Sequence, residues 1–110
     1  MFLREVYLER KKIFENYLEY AKKIKESAKK ELGDDIEVYV FGSVVEGKFS
    51  IGLSDIDIAI VTKEDVKNKA EVIGKILKDI EGRDVFEIHI ITKRKFNEWY
   101  KRFIKKFIEI

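Results

Sequence analysis

One stretch constrains this chain more than any other: Gly42-Ser43-Val44-Val45-Glu46-Gly47, followed by Ser54-Asp55-Ile56-Asp57. A strand-like run, Val38-Tyr39-Val40-Phe41, leads into the Gly-Ser, and a second such run, Asp55 to Val61, carries both aspartates. Side chains in a strand alternate between faces, so Asp55 and Asp57 are expected on one face and Ile56, Ile58 and Ile60 on the other. Two carboxylates held close together repel and need a counter-charge. Mg²⁺ supplies one, as a hard cation held by one or two carboxylates and shared with substrate phosphates. The Gly-Ser turn offers backbone N–H groups and a hydroxyl to those phosphates, with no Cβ at the glycine to block close approach. The stretch therefore describes a metal–nucleotide site.

The combination carries this reading, because its parts are weak. A lone Gly-Ser after a strand is usually only a turn, and an Asp-x-Asp at a strand start is more often a solvated edge. The six residues Gly42, Ser43, Gly47, Ser54, Asp55 and Asp57, at about 7% usage each, match by chance in roughly one chain in 10⁴ once loose spacing is allowed.

The pattern Phe41-Gly42-Ser43-x-x-x-Gly47, then Ser54-Asp55-x-Asp57, resembles the signature of the minimal nucleotidyltransferases of the DNA polymerase beta superfamily. The resemblance spans about residues 36 to 92. It implies that Gly42, Ser43 and Ser54 hold nucleotide phosphates and that Asp55 and Asp57 bind Mg²⁺, with two ions expected. It implies a third acid on a neighbouring strand, which falls on Glu87, where the family more often has Asp. Glu46 is a second departure, since many members carry Arg before the second glycine. Stand-alone members often accompany a helical HEPN-domain ribonuclease as antitoxin to toxin, and some transfer AMP from ATP to a tyrosine of that partner.

The rest of the chain is compatible with such a domain. Its 110 residues suffice for one domain with one core, divided into an N-terminal helical part (1–33), the motif-bearing part (36–92) and a C-terminal helix (93–110). There is no Cys, so disulfides are excluded and a reducing compartment is expected. No apolar run is long enough to span a membrane and no signal-peptide pattern opens the chain, so a soluble cytoplasmic protein is expected. Charged residues make up 40% of the chain, a bias that heat-adapted proteins share. The net charge of +2 is too small to argue for nucleic acid, but its distribution is uneven. Residues 31 to 62 hold seven acids against one base, and residues 93 to 110 hold seven bases against two acids. An acidic site of this kind needs a metal before it accepts a triphosphate.

Residues 2 to 32 read as one helix or two abutting ones, with Glu19–Lys23 and Glu26–Lys30 as supporting pairs and Gly33 as the stop. Arg10, Lys11, Lys12, Lys22 and Lys23 read as a solvated face or as contacts to an acidic partner. In the loop after Gly47, Lys48 reads as reaching a phosphate or as an ordinary surface lysine, while Phe49 and Ile51 are expected in the core. Thr62 is expected to cap a helix over 64–81, with a stripe of Val66, Ala70, Ile73, Ile76, Leu77 and Ile80.

Val85 to Ile91 reads as a third strand, in which Phe86, Ile88 and Ile90 alternate with Glu87 and His89. If it neighbours the Asp-x-Asp strand, Glu87 lies beside the aspartates. His89, the single histidine, shares that face and reads either as functional or as structural. Residues 93 to 109 are expected to form a helix whose Phe96, Trp99, Tyr100, Phe103, Ile104, Phe107 and Ile108 are mostly core, with an exposed remainder able to bind another chain.

The expected fold is therefore α/β (α+β): a small mixed sheet with helices on one face and the site on the other. The expected activity is Mg²⁺-dependent transfer of a nucleoside monophosphate to a hydroxyl. The alternative is a catalytically degenerate domain that acts by complex formation alone. Nucleic acid is not expected as a partner, and an oligomer is left open.

Overall fold

The computed structural model describes residues 3–110 apart from the side chain of Trp99. Phe2, the first residue assigned to a helix from sequence, and the Trp99 side chain, counted in the C-terminal stripe, lie outside the described residues. Two helices open the chain, α1 (Leu3–Glu15) and α2 (Tyr17–Leu32). They part at Asn16, whose side-chain amide donates to the Lys12 carbonyl at 2.8 Å and so satisfies one acceptor that the end of α1 exposes. The buried positions Ile13, Phe14, Tyr20, Ala21, Ile24 and Ala28 follow the helical period, and the N–H of Gly33 closes α2 on the Lys29 carbonyl at 2.8 Å. The surface pairs form three residues apart, as Lys22–Glu19 and Lys29–Glu26, in place of the four-residue pairs read from sequence.

Four strands make one mixed sheet in the order β3-β2-β1-β4. They are β1 (Ile36–Phe41), β2 (Ile56–Thr62), β3 (Phe86–Thr92) and β4 (Phe107–Glu109). β2 runs parallel to β3, and β1 runs antiparallel to both β2 and β4. The alternation read from sequence is what builds the core. Val38, Val40, Ile56, Ile58, Ile60, Phe86 and Ile90 face α1, α2 and α4 (Lys69–Ile76) in one buried cluster. Ile58 and Ile60 are fully buried, and truncating either to Ala costs about 2–5 kcal/mol.

Two helices depart from expectation. The helix expected over 64–81 with Thr62 as its cap is confined to α4, and Asn68 precedes it. Thr62 is committed to the sheet, paired with Thr92, and its hydroxyl donates to the Glu64 carbonyl at 2.7 Å. Ala70 is exposed, and Val72 takes its place beside Ile73 on the packed side. Gly82 introduces a single 3-10 turn, Arg83–Val85, which leads into β3.

The helix expected over 93–109 is a correction of larger consequence. Helical structure stops at residue 103, as α5 (Lys93–Lys95), a π-helical turn (Phe96–Tyr100) and α6 (Lys101–Phe103), and the chain then turns extended at Ile104. Phe107-Ile108-Glu109 become β4 on the edge of β1, and the Ile110 N–H donates to the Val38 carbonyl at 2.9 Å. A helix continued to 109 would leave one side of β1 unpaired, and pairing satisfies those backbone groups. The segment folds over part of the second face of the sheet, where Phe96 packs with Tyr39, Ala59, Val61 and Ile91. Of the expected aromatic stripe, Phe96 is buried whereas Phe103 is 73% exposed.

Candidate active site

The second face of the sheet is organised in rows across three strands. Strand register places Phe41, Asp57 and Glu87 in one row, Tyr39, Ala59 and His89 in the next, and Glu37, Val61 and Ile91 in the third. The third row lies by the start of the C-terminal helical segment, where Lys93 pairs with Glu37 at 2.7 Å. That ammonium, and then the Tyr39 hydroxyl donating to the same carboxylate, hold Glu37 below the usual carboxylate range. Burial, followed by that bond to Glu37, pushes the Tyr39 hydroxyl up. The first two rows carry the candidate chemistry.

Glu87 stands beside Asp57 because β2 and β3 are parallel neighbours in this register, the condition that the sequence left open. His89 leans towards both: its Nε2 lies 3.4 Å from Asp57 Oδ1 and 3.9 Å from Glu87 Oε1. One ligand atom from each of Asp57, Glu87 and His89 falls within 4.8 Å of the others. The imidazole is flanked by the rings of Phe41, at 5.3 Å between centroids, and Tyr100, at 6.3 Å. Such a set of two carboxylates and an imidazole, with Asp57 and His89 partly buried and Glu87 exposed, fits a divalent cation.

The Gly-Ser turn abuts this group. Gly42 sits at φ 85°, ψ −159°, a region that other residues essentially do not enter. A Cβ there would overlap the Asp57 carboxylate, so glycine is required twice over. Residues Ser43–Glu46 then form a single helical turn, α3 in chain order, with the Val45 and Glu46 N–H groups bonded to the Gly42 carbonyl at 3.2 Å. The Ser43 and Val44 amides have no acceptor within that turn. Beside the turn lies a cleft of about 280 Å³ lined by Phe41, Gly42, Glu46, Phe103, Ile104 and Lys105.

Asp55 and Ser54 occupy the loop that enters β2. Asp55 is exposed and stands one residue before the strand, outside the close group of Asp57, Glu87 and His89. Ser54 Oγ accepts the Ser50 N–H at 2.8 Å and keeps its own proton to donate. Arg10 braces this loop from α1, since its Nε donates to the Ile51 carbonyl at 2.6 Å and its Nη2 to the Ser54 carbonyl. Phe49, 39% exposed, stacks on Phe14 at 5.0 Å between centroids. The brace was not legible: Arg10 sits among other basic residues on α1, and its acceptors are backbone carbonyls more than forty positions away. The flanking Tyr100 was hidden too, because the expected long helix gave no reason for it to meet β3.

The described residues include no helix long and apolar enough to cross a membrane. No curated protein matches the chain in sequence. A crystal structure assigned to the nucleotidyltransferases is similar at 49% identity and TM-score 0.63, over 81% of this chain and 95% of that one. A second structure, from Sulfolobus solfataricus and likewise assigned, shares the fold at 22% identity and TM-score 0.61, over 92% of this chain and 85% of that one. The family model for the nucleotidyltransferase domain matches residues 21–109. With that match spanning the strands, the Gly-Ser turn and all three candidate carboxylates, the chain belongs to the nucleotidyltransferase domain family.

Proposed function

We propose that this chain transfers a nucleoside monophosphate, AMP from ATP, to a hydroxyl acceptor, and that the acceptor is a tyrosine of a helical HEPN-type partner, as in a toxin–antitoxin pair. The observation that carries the reading is the close approach of Gly42 to Asp57, whose row neighbour is Glu87: the Gly-Ser turn and a pair of carboxylates share one place. Asp57 and Glu87, with Asp55 from the entering loop, are the residues that would hold Mg²⁺, two ions being expected. Bound there, the metal offsets the charge on the attacking and leaving oxygens of an in-line displacement. The Ser43 and Val44 amides and the Ser43 hydroxyl hold the phosphates, and Ser54 has a hydroxyl proton to donate to them. The acceptor oxygen bonds to the α-phosphorus, the bond from that phosphorus to the pyrophosphate oxygen breaks, and the acceptor proton passes to a carboxylate; Glu87 is either that base or the third metal ligand. The exposed Phe103 and Lys105, on the cleft beside Gly42, suit a nucleobase and an anionic phosphate.

Isothermal calorimetry tests the site. ATP is expected to bind with Mg²⁺ and only weakly in EDTA, and Asp55→Asn with Asp57→Asn is expected to abolish the metal-dependent part while leaving the fold intact. Equal affinity with and without EDTA would sink the reading. Intact-mass measurement of whatever protein co-purifies, after incubation with the chain, Mg²⁺ and ATP, tests the acceptor. The partner is expected to gain the mass of one AMP, and to keep its original mass with the double variant while the complex survives. The position of Asp55 outside the close group favours one other reading, a domain that acts by complex formation alone. It requires partner inhibition with no mass change, equal in wild type and variant.

A further inference from the structure

We infer that His89 is itself a metal ligand, and that its nitrogen gives this site a preference for Mn²⁺ over Mg²⁺. The inference rests on the nucleotidyl-transfer reading of the site and deepens it. Neither distance from His89 Nε2, 3.4 Å to Asp57 or 3.9 Å to Glu87, is a good hydrogen bond, whose N···O separation is about 2.7–3.2 Å. Both distances suit ligands that share an ion. Two atoms each about 2.1 Å from one ion lie about 3.0 Å apart at a right angle and about 4.2 Å apart when opposed.

The surroundings aim the ring at that place. Ala59, between Tyr39 and His89 in the same row, carries only a methyl group, and His89 Nε2 lies diagonally across from Asp57 on β2. Phe41 and Tyr100 flank it, and Tyr100 is brought there by the π-helical turn Phe96–Tyr100. π-Turns inside helices recur at functional sites. An ordinary surface histidine has no need of two aromatic neighbours and two carboxylates converging on one nitrogen.

The nitrogen decides the metal. Mg²⁺ takes oxygen ligands in a near-ideal octahedron and gives up its waters reluctantly, so an imidazole adds little to its binding. First-row transition ions accept imidazole more readily than Mg²⁺ does, and Mn²⁺ is the one among them that, like Mg²⁺, also suits the carboxylates of Asp57 and Glu87. Two carboxylates from Asp57 and Glu87 keep the site open to hard ions, and His89 shifts the balance among them.

Pulsed electron paramagnetic resonance of the tag-free, Mn²⁺-loaded chain tests this directly. The chain has a single histidine, so histidine-type nitrogen modulation of the Mn²⁺ echo identifies His89. The modulation is expected in wild type and absent in His89→Ala and in His89→Asn, the second of which keeps a polar group on the strand. Calorimetry without nucleotide is expected to show Mn²⁺ bound more tightly than Mg²⁺, with that preference falling at least about tenfold in both variants. Mn²⁺ bound without nitrogen modulation, at an unchanged preference, overturns the inference and leaves the carboxylate site standing. Failure of wild type to bind either ion, with or without ATP, overturns the metal-dependent reading and this inference with it.

Discussion

Gly42 holds the site together by what it lacks. Its backbone lies where essentially only glycine goes, and its Cα faces the Asp57 carboxylate with no room for a methyl group. Gly42→Ala is therefore expected to cost about 1–3 kcal/mol of stability, read from the urea midpoint, and to weaken metal binding by displacing Asp57. Gly47→Ala is the control: its φ is also positive, at 72°, but nothing lies within 4 Å of the added Cβ. It should lose stability alone and bind metal as wild type does. Glu87 separates from its neighbour His89 in the same way. Glu87→Gln keeps shape and removes charge, and in Mg²⁺ its turnover is expected to fall by about a hundredfold or more. His89→Ala should cost far less in Mg²⁺, which gains little from nitrogen. Equal and modest losses for the two would show that the third carboxylate has been misassigned.

The elements around the site are held by ties that cross long stretches of sequence. Lys93 fastens the start of the C-terminal helical segment to β1 through Glu37, at 2.7 and 2.8 Å to its two oxygens. Because Glu37 titrates below its ordinary value in the fold, the tie adds stability above the unfolded carboxylate's pKa and loses it as pH falls through the lower folded value. The thermal midpoint of Lys93→Met is therefore expected to lie below that of wild type at neutral pH. The gap should close as pH falls from the ordinary glutamate range through the lower folded value. A gap that stays constant across that window would show that Lys93 acts by packing on Phe96, over which its ammonium lies at 5.9 Å, and not by its charge. Arg10 serves the loop before β2 as Lys93 serves the sheet, with backbone carbonyls as acceptors.

At the scale of the molecule, β4 determines which edges the sheet exposes. Without it, Tyr39 to Phe41 would present unpaired backbone groups beside the site. A chain ending at Phe103 is expected to elute at higher apparent mass than the full-length protein, since an exposed edge recruits another. Unchanged elution would show that β1 needs no cover. Charge is arranged on the same scale. Acidic residues concentrate around the Gly-Ser turn and basic ones in the C-terminal eighteen residues. Lys105, from the basic end, reaches the cleft beside Gly42.

What the sequence determined by itself is what depends on near neighbours. Period-two alternation placed Ile58 and Glu87 on opposite faces, and helical period marked Ala21, Ile24 and Ala28 for the core. The Gly-Ser turn with its following carboxylates announced the family. Which strands lie side by side, and in what register, is decided by pairing between segments about thirty residues apart. Only that pairing brought Glu87 next to Asp57, while Asp55, one residue before β2, stays outside the close group. The ends of α4 and the conversion of residues 107–109 to a strand were hidden for a related reason. Local propensity favoured longer helices; pairing of Thr62 in the sheet removed the expected cap before α4, and the unsatisfied edge of β1, a property of the assembled sheet, outweighed helix propensity at residues 107–109.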